Sequence, residues 1–322
     1  MPLVDMPLEK LKEYKGINPK PADFEAFWDK ALEEMRNTPH NSELIPTGPK
    51  TDFAECFDLY FDGTGNSRIH AMYARPKNPK GKSPVILQFH GYSGDAGDWL
   101  DKLAYVAAGF CVAALDCRGQ AGKSEDLSGT VGTTFKTHFA KGLDGKPEDL
   151  FYKHMYLDTA KLADVVLGFS ETDETRVGAM GGSQGGGLTF ACAALEPRVT
   201  RMAATYPFLS DYKRVWQMDL AKGAYEELSY YFRKFDPLHE REEEVFTKLG
   251  YIDIQHLAPR IKARTLMAVG LMDTICPPST QFAAYNKVTS EKSLLIYPDY
   301  GHEGLKGYAD KLYEYMLELV KI

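Results

Sequence analysis

Six short apolar runs, separated by helical patterns, constrain the fold of this chain more than any other feature. The runs are VILQFH (85–90), FCVAALD (110–116), RVGAM (176–180), RMAATY (201–206), TLMAVG (265–270) and SLLIY (293–297). They are too continuous for strands with one face in water, and residues such as Leu162, Val165 and Val166 recur between them at helical spacing. Buried strands that alternate with helices predict an α/β fold, with a mostly parallel central sheet covered by helices on both faces.

The flanking segments add three further elements to this prediction. Phe24, Phe27 and Trp28 fall at helical spacing, so residues 1–50 are predicted to form an N-terminal helical extension. Residues 54–62 and 68–76 alternate between polar and apolar side chains, which predicts an antiparallel hairpin. Residues 207–260 interrupt the alternation as a helical insertion after the sixth strand, and the whole chain, 1–322, is predicted to be one domain.

Composition and charge exclude several classes of protein. A chain of 322 residues with 44% hydrophobic content can bury a large core. Its net charge of −7 and the absence of a basic stripe give no support for nucleic-acid binding. The N-terminus carries acidic residues and lacks a continuous apolar core, and no later window reaches eighteen apolar residues, so neither a signal peptide nor a membrane span is expected. The five cysteines are scattered without C-x-x-C spacing, and we expect reduced thiols in a cytoplasmic protein.

A glycine-rich stretch holds the candidate nucleophile. Gly181 to Gly185 read G-x-S-x-G around Ser183, and they lie between the run RVGAM and the helical pattern GLTFACAALEP. This is the pattern of a nucleophile elbow, a strand-to-helix turn so sharp that its flanking residues must lack side chains. The same pattern is also compatible with a glycine-rich turn that has no catalytic role. Whether Ser183 is catalytic therefore depends on whether the other members of a catalytic triad are present in the sequence.

Asp273 and His302 stand where a triad requires them. In the α/β-hydrolase arrangement the acid and then the histidine follow the serine, each just after a later strand. Asp273 follows TLMAVG, and His302 follows SLLIY. Asp299 lies in the same loop as His302 and is expected to be a solvated turn residue. Four other histidines do not follow a late strand: His138, His154, His239 and His256. The sequence therefore predicts Ser183, Asp273 and His302 as the triad.

Two backbone N–H groups are candidates for an oxyanion hole, which needs preorganised donors. One is the amide of Gln184, the residue after the nucleophile. The second should come from the loop HGYSGDAGDW (90–99), where the amide of Tyr92 is the candidate. A flexible glycine turn would account for the glycines of this loop, but not for a His-Gly pair directly at the strand end.

At this point the chain resembles carbohydrate esterase family seven, the acetyl xylan esterases and cephalosporin C deacetylases. The family's marks are an R-G-Q triplet, a G-x-S-Q-G elbow and a terminal H-E pair. They correspond here to Arg118-Gly119-Gln120, Gly181–Gly185 and His302-Glu303. The stretches PADFEAFW, PFLSDYKR, YFRKFDPLHE and VGLMDTICPPSTQFAAYN also read like family sequence. The resemblance therefore covers nearly the whole chain.

The resemblance implies a metal-free enzyme without a cofactor that hydrolyses acetyl esters on short xylo-oligosaccharides. A second implied substrate is the 3′ acetyl group of cephalosporin C. It further implies Ser183 as nucleophile, His302 as base, Asp273 as its orienting acid, and the amides of Tyr92 and Gln184 as oxyanion donors. The expected assembly is a hexamer, a dimer of trimers whose active sites face an inner cavity.

Other motif residues are given supporting roles. Arg118 and Gln120 come just after FCVAALD, so we expect them to brace the loops around the elbow, with Arg118 as a buried ion-pair or carbonyl-binding group. Tyr92 and Tyr206 are candidate substrate-binding residues, and Tyr206 is expected to form a wall of a shallow acyl pocket. Residues 206–251 hold eleven aromatic side chains, and we interpret part of this set as a surface for homo-oligomer contacts.

Several alternatives share the sheet and the triad. A peptidase of the prolyl-oligopeptidase type would normally have a large extra domain upstream, whereas only 84 residues precede the first parallel run here. Dienelactone hydrolases usually have a cysteine nucleophile, and a general short-chain carboxylesterase would accept longer acyl groups. A binding protein of this fold that had lost activity would typically lack a triad member, and none is missing.

Overall fold

The computed structural model describes residues 4–127, 129 and 137–321, and a mixed sheet runs through its centre. The strands in this part of the chain are β1 (Glu43–Pro46), β2 (Ala54–Asp62), β3 (Arg68–Pro76), β4 (Ser83–Phe89), β5 (Cys111–Leu115), β6 (Thr172–Gly182), β7 (Val199–Thr205), β8 (Arg264–Gly270) and β9 (Lys292–Tyr297). Their order across the sheet is β1-β2-β3-β5-β4-β6-β7-β8-β9. The first three strands pair antiparallel, β3 pairs antiparallel with β5, and β4 to β9 are parallel. All six apolar runs therefore form parallel strands.

Helices cover both faces of the sheet, as expected. They are α1 (Leu8–Glu13), α2 (Phe24–Asn37), α3 (Trp99–Ala107), α4 (Phe151–Leu167), α5 (Gln184–Leu195), α6 (Tyr212–Gln217), α7 (Glu226–Phe235), α8 (Glu242–Leu249), α9 (Ile254–Leu257), α10 (Pro278–Lys287) and α11 (Tyr308–Leu317). In β6, Val177 and Ala179 belong to the large core shared with α4 and α5. Met180 points to the opposite face, where α3 and α11 pack. This alternation is what a doubly covered sheet requires, and the α/β prediction is confirmed.

The N-terminal region differs from the prediction at one place. Residues 43–46 form an edge strand inside the segment that the sequence suggests to be helical, with Glu43 opposite Tyr60 and Pro46 opposite Phe57. β1 is mostly exposed, so its sequence has no alternating pattern to reveal it. Because of β1, the insertion at 207–260 follows the seventh strand rather than the sixth, and α6 to α9 lie within it. The domain bounds 1–322 remain a prediction, since they include residues outside the described range.

The N-terminal helices are fastened to the insertion by hydrogen bonds. The Trp28 indole Nε1 donates to the carbonyl oxygen of Tyr251 at 2.9 Å. The Tyr14 hydroxyl donates to Asp211 Oδ2 at 2.7 Å, and the backbone amide of Asn18 donates to Asp211 Oδ1 at 2.9 Å. Asp211 is fully buried, so these bonds are shielded from water. The N-terminal segment and the insertion therefore form one packed layer.

Most aromatic side chains of the insertion lie in its interior. None of the eleven between 206 and 251 is exposed, and seven of them are buried: Phe208, Tyr212, Tyr225, Tyr231, Phe232, Phe246 and Tyr251. Many pack ring against ring, for example Phe208 on Tyr225 with centroids 4.6 Å apart. Most of these rings form the core of the insertion, because several short helices need large side chains to fill the space between them. A contribution of the four half-buried rings to an oligomer surface remains a prediction.

Disulfide bonds, metal-ligating groups and membrane-spanning helices are all absent from the residues that the structure describes. All five cysteines are buried with free thiols. Within the residues that the structure describes, no group of three or more histidine, cysteine, aspartate or glutamate side chains is placed to hold a metal ion. A search of the same residues finds no helix with the length and apolar character needed to cross a membrane.

Candidate active site

Ser183 stands on a tight turn between β6 and α5. Its backbone has φ 57° and ψ −121°, a positive φ that side-chain-bearing residues rarely adopt. A Cβ atom at Gly181 or Gly185 would overlap the carbonyl oxygen of Phe89 at the end of β4. The Ser183 N–H donates to the carbonyl oxygen of Thr205 at 3.0 Å, which ties the turn to β7. The glycines are therefore required by close backbone approach, as in a nucleophile elbow.

Ser183, His302 and Asp273 form one chain of hydrogen bonds. His302 Nε2 lies 3.0 Å from Ser183 Oγ, and His302 Nδ1 lies 2.8 Å from Asp273 Oδ2. Asp273 is fully buried, and its Oδ1 accepts the backbone N–H groups of Ile275 and Cys276, both at 2.8 Å. The carboxylate thus assigns the proton to Nδ1, and Nε2 is left to accept the serine proton. The structure brings all three predicted triad residues together.

The loop of His302 is shaped by two of the predicted residues. Glu303 is exposed, and its Oε1 accepts the N–H of Gly301 at 3.0 Å. The ring of Tyr206 lies 4.4 Å from the imidazole of His302, centroid to centroid. Burial, followed by the nearby charge of Asp273, raises the pKa of Tyr206, so its hydroxyl stays neutral. Tyr206 therefore contacts the candidate base, and its role as a wall of the acyl pocket remains a prediction.

The two candidate oxyanion residues lie on different elements next to the elbow. Gln184 is the first residue of α5, where backbone N–H groups have no acceptor within the helix. The N–H of Ser183 itself donates to Thr205, so Gln184 offers the nearest amide at the elbow. Tyr92 follows β4, and a Cβ at its neighbour Gly91 would come within 3.9 Å of the carbonyl oxygen of Gly182. The loop of Tyr92 therefore runs directly beside the elbow.

His90 is a site residue for which the sequence patterns predicted no role. Its Nδ1 donates to the carbonyl oxygen of Gly91 at 2.7 Å, and its Nε2 accepts the N–H of Cys117 at 3.0 Å. Burial lowers the pKa of His90, so the ring is neutral and can do both. His90 thereby joins the Tyr92 loop to the R-G-Q loop. The His-Gly pair at the end of β4 was the signal that could have revealed it.

The R-G-Q residues contact the loops and not the triad. Arg118 is fully buried, and its Nε and Nη2 donate to the two carboxylate oxygens of Asp158 at 2.6 and 2.7 Å. Burial alone would lower the pKa of Arg118, but Asp158 outweighs it and the pKa is raised, so the guanidinium is charged. Gly119 has φ +64°, a left-handed conformation that favours glycine. Gln120 reaches the elbow, where its side chain bonds that of Gln184.

The order of strands, the elbow after β6, the acid after β8 and the histidine after β9 define a serine hydrolase of the α/β-hydrolase fold. Sequence comparison narrows this class. A model of one family, Acetyl xylan esterase (AXE1), matches residues 1–319. The chain belongs to this acetyl xylan esterase family.

Individual relatives agree with this assignment. The crystal structure of acetyl xylan esterase 1 from Thermoanaerobacterium sp. JW/SL YS485 is 57% identical, with a TM-score of 0.96 over 98% of this chain and 99% of that one. Acetyl xylan esterase from Paenibacillus sp. R4 is 36% identical, with a TM-score of 0.92 over 97% and 99%. Acetyl esterase Axe7A from Xylanibacter ruminicola is 30% identical over 90% of this chain, which spans 64% of the length of that relative.

Proposed function

We propose that this protein is a serine esterase that removes acetyl groups from short acetylated xylo-oligosaccharides and from small acetyl esters such as cephalosporin C. The observation that carries the proposal is the unbroken hydrogen-bond chain from Ser183 through His302 to the buried Asp273. Membership in the acetyl xylan esterase family supports the acetyl group as the acyl part. The relatives named above support a sugar ester as the substrate.

The reaction runs through an acetyl-enzyme in two halves. His302 Nε2 takes the proton of Ser183 as its Oγ attacks the acetyl carbonyl carbon, and the imidazolium is held by the carboxylate of Asp273. The oxyanion of the tetrahedral intermediate accepts hydrogen bonds from the N–H groups of Tyr92 and Gln184. His302 then returns the proton to the sugar oxygen as its bond to the acetyl carbon breaks, and the sugar leaves as an alcohol. Water, deprotonated by the same imidazole, attacks the acetyl-enzyme; the bond to Ser183 Oγ breaks, the imidazolium reprotonates Oγ, and acetate is released.

Helix α5 adds an electrostatic contribution at the oxyanion. It runs from Gln184 to Leu195, and its N-terminus points to the turn that carries Ser183. Aligned peptide dipoles place about half a positive charge at such an N-terminus. Because this charge is fixed before substrate binds, it stabilises the negative charge that develops on the carbonyl oxygen without reorganisation.

The nucleophile assignment is tested by Ser183→Ala, with Ser170→Ala as the matched control on an exposed serine. Ser183→Ala should lose at least about four orders of magnitude in kcat toward p-nitrophenyl acetate, with KM little changed, because the triad acts as a unit. Ser170→Ala should keep wild-type kcat. A Ser183→Ala protein that retains more than about a tenth of the activity would contradict the assignment.

The substrate assignment is tested by acetate release. Acetylated xylo-oligosaccharides, acetylated glucose and cephalosporin C are compared at equal acetyl concentration, and the xylo-oligosaccharides are expected to give the highest kcat/KM. Equal rates on all three would instead indicate a general acetyl esterase. A proline anilide peptide serves as the substrate of the peptidase alternative, and its hydrolysis at a comparable rate would overturn the esterase proposal.

We also propose that the chain assembles as a closed homo-oligomer, a hexamer built as a dimer of trimers, in the cytoplasm. The resemblance to the family supports the assembly, and the buried free cysteines fit a reducing compartment. Light scattering should give a mass several-fold above the 36.1 kDa of one chain. A clean monomer would refute the assembly.

A further inference from the structure

Two glutamine side chains form a reciprocal pair beneath the elbow. Gln120 Nε2 donates to Gln184 Oε1 at 2.8 Å, and Gln184 Nε2 donates to Gln120 Oε1 at 3.1 Å. Gln184 is fully buried, while Gln120 is half-buried. The Tyr152 hydroxyl lies 2.8 Å from Gln184 Oε1 and 2.9 Å from the carbonyl oxygen of Thr137, so it contacts the pair from the buried side. The orientation of the two carboxamides is set by the contact of Gln120 with the loop that follows β4.

Gln120 also bonds the loop that follows β4. Its Oε1 accepts the backbone N–H of Ser93, the residue after Tyr92, at 2.9 Å. A backbone N–H can only donate, so this contact fixes the orientation of the Gln120 carboxamide. One side chain thus connects the first residue of α5 with the residue next to Tyr92.

We propose that Gln120 is a positioning residue that sets the spacing between the backbone N–H groups of Tyr92 and Gln184. This inference rests on the proposed function, in which those two groups hold the oxyanion. An oxyanion hole works only when its donors stand within a fraction of an ångström of their productive positions before substrate binds. The side chain of Gln120 hydrogen-bonds both the first residue of α5 and the loop that carries Tyr92.

The neighbouring contacts explain why this function can be separated from folding. The loop after β4 is also held where His90 Nε2 accepts the N–H of Cys117 and where the N–H of Ala96 donates to Asp116 Oδ1 at 2.7 Å. The anchor of the R-G-Q loop is the buried ion pair of Arg118. Loss of the Gln120 carboxamide therefore frees the segment beside Tyr92 while the ends of the loop stay in place.

The first test is Gln120→Leu, with Gln217→Leu on the exposed end of α6 as the control. Loss of one oxyanion donor lowers kcat about 100- to 1,000-fold, so a displaced donor should lower it about 10- to 100-fold, with KM changed less than about threefold. Affinity for methyl trifluoromethyl ketone, whose adduct with the serine carries an oxyanion, should fall by the same factor as kcat/KM. Gln217→Leu should behave as wild type.

The second test is Gln120→Glu, which distinguishes positioning from a merely structural role. The ionised glutamate still accepts from Ser93 but repels Gln184 Oε1, whereas the protonated acid donates to it. The ratio of Gln120→Glu to wild-type kcat should therefore rise as the pH falls from 8 to 5. Dividing by the wild-type kcat removes the titration of the catalytic base that both proteins share. The ratio also tests positioning by Gln120 if the Gln120→Leu variant does not fold.

The outcomes separate this inference from the proposed function. If Ser183→Ala is inactive while Gln120→Leu keeps kcat within about twofold of wild type, positioning by Gln120 is overturned and the esterase proposal stands. A pH-independent ratio for Gln120→Glu overturns it equally. If Ser183→Ala itself retains activity, the proposed function has failed, whatever the Gln120 variants show.

Discussion

Replacing Asp158 by asparagine should strongly destabilise the fold, because it leaves the guanidinium of Arg118 buried without its carboxylate. Arg118 is fully buried, and Asp158 accepts two of its hydrogen bonds. Removing one partner of a buried ion pair costs about 3–5 kcal/mol. Asp126 Oδ1 lies 3.9 Å from Arg118 Nη1 and compensates part of the lost attraction. We therefore expect a loss of about 3 kcal/mol in the free energy of unfolding, at the lower end of this range.

Removing both charges should cost less than the two single changes together. In Arg118→Met/Asp158→Leu no uncompensated charge remains, and apolar replacement of a buried pair is often neutral. The carbonyl oxygen of Thr64 loses the donor that Arg118 Nη2 provides at 3.1 Å, which costs about 1–3 kcal/mol. The double variant should therefore lose about 1–3 kcal/mol, well below the sum of the single variants.

Urea unfolding, followed by tryptophan fluorescence and circular dichroism at one protein concentration, measures these differences. Glu9→Gln is the control, since it breaks an exposed pair with Lys12 and should change stability by less than about 1 kcal/mol. The reasoning is refuted if Asp158→Asn loses less than about 1 kcal/mol, or if the double variant loses the full sum of the single ones.

Three further predictions concern the elbow, the acyl group and pH. Gly185→Ala should lower kcat at least about 100-fold, since its Cβ would overlap the carbonyl oxygen of Phe89, whereas Gly81→Ala, with open space around it, should not. p-Nitrophenyl acetate should be hydrolysed at least ~10-fold faster than the octanoate, because a shallow pocket rejects a long acyl chain; equal rates would contradict this. Burial and the nearby Asp211 raise the pKa of Asp253 to about 7. The folded state therefore holds a proton that the unfolded state releases near pH ~4. The stability of wild type relative to Asp253→Asn should fall as the pH rises from 4 to 7. Urea midpoints that differ by the same amount across this range would contradict the prediction.

The parallel part of the fold could be predicted because burial on both faces leaves a direct record in the sequence. Each strand from β4 to β9 contains a short continuous apolar run. β1 left no such record, since residues 43–46 are mostly exposed at the edge of the sheet. The place of β5 between β3 and β4 was also beyond reach, because hydrophobicity shows that a strand is buried but not which strands are its neighbours.

The residues of the active site also differ in whether the sequence could predict them. Ser183, Asp273 and His302 were predictable because the fold requires them in one order and at strand ends. The pairing of Gln120 with Gln184 was not, since the two residues are 64 positions apart and neutral amides follow no periodic pattern. The crowded rings of the insertion allowed two interpretations, because composition alone cannot separate a small core from an exposed apolar surface.

The contact between the N-terminal helices and the insertion has a consequence for the order in which the chain folds. Tyr14 and Asp211 are separated by 197 residues, and Trp28 and Tyr251 by 223. At ~5–20 residues per second, synthesis takes roughly 10–40 s to produce the partners that the first helices need. α4 is synthesised earlier and can already pack on α2, where Trp28 stacks on Tyr156, but the contact of Trp28 with Tyr251 must wait for the insertion. Since closing so long a loop is entropically costly, this layer docks late, and weakening it should speed unfolding more than it slows refolding.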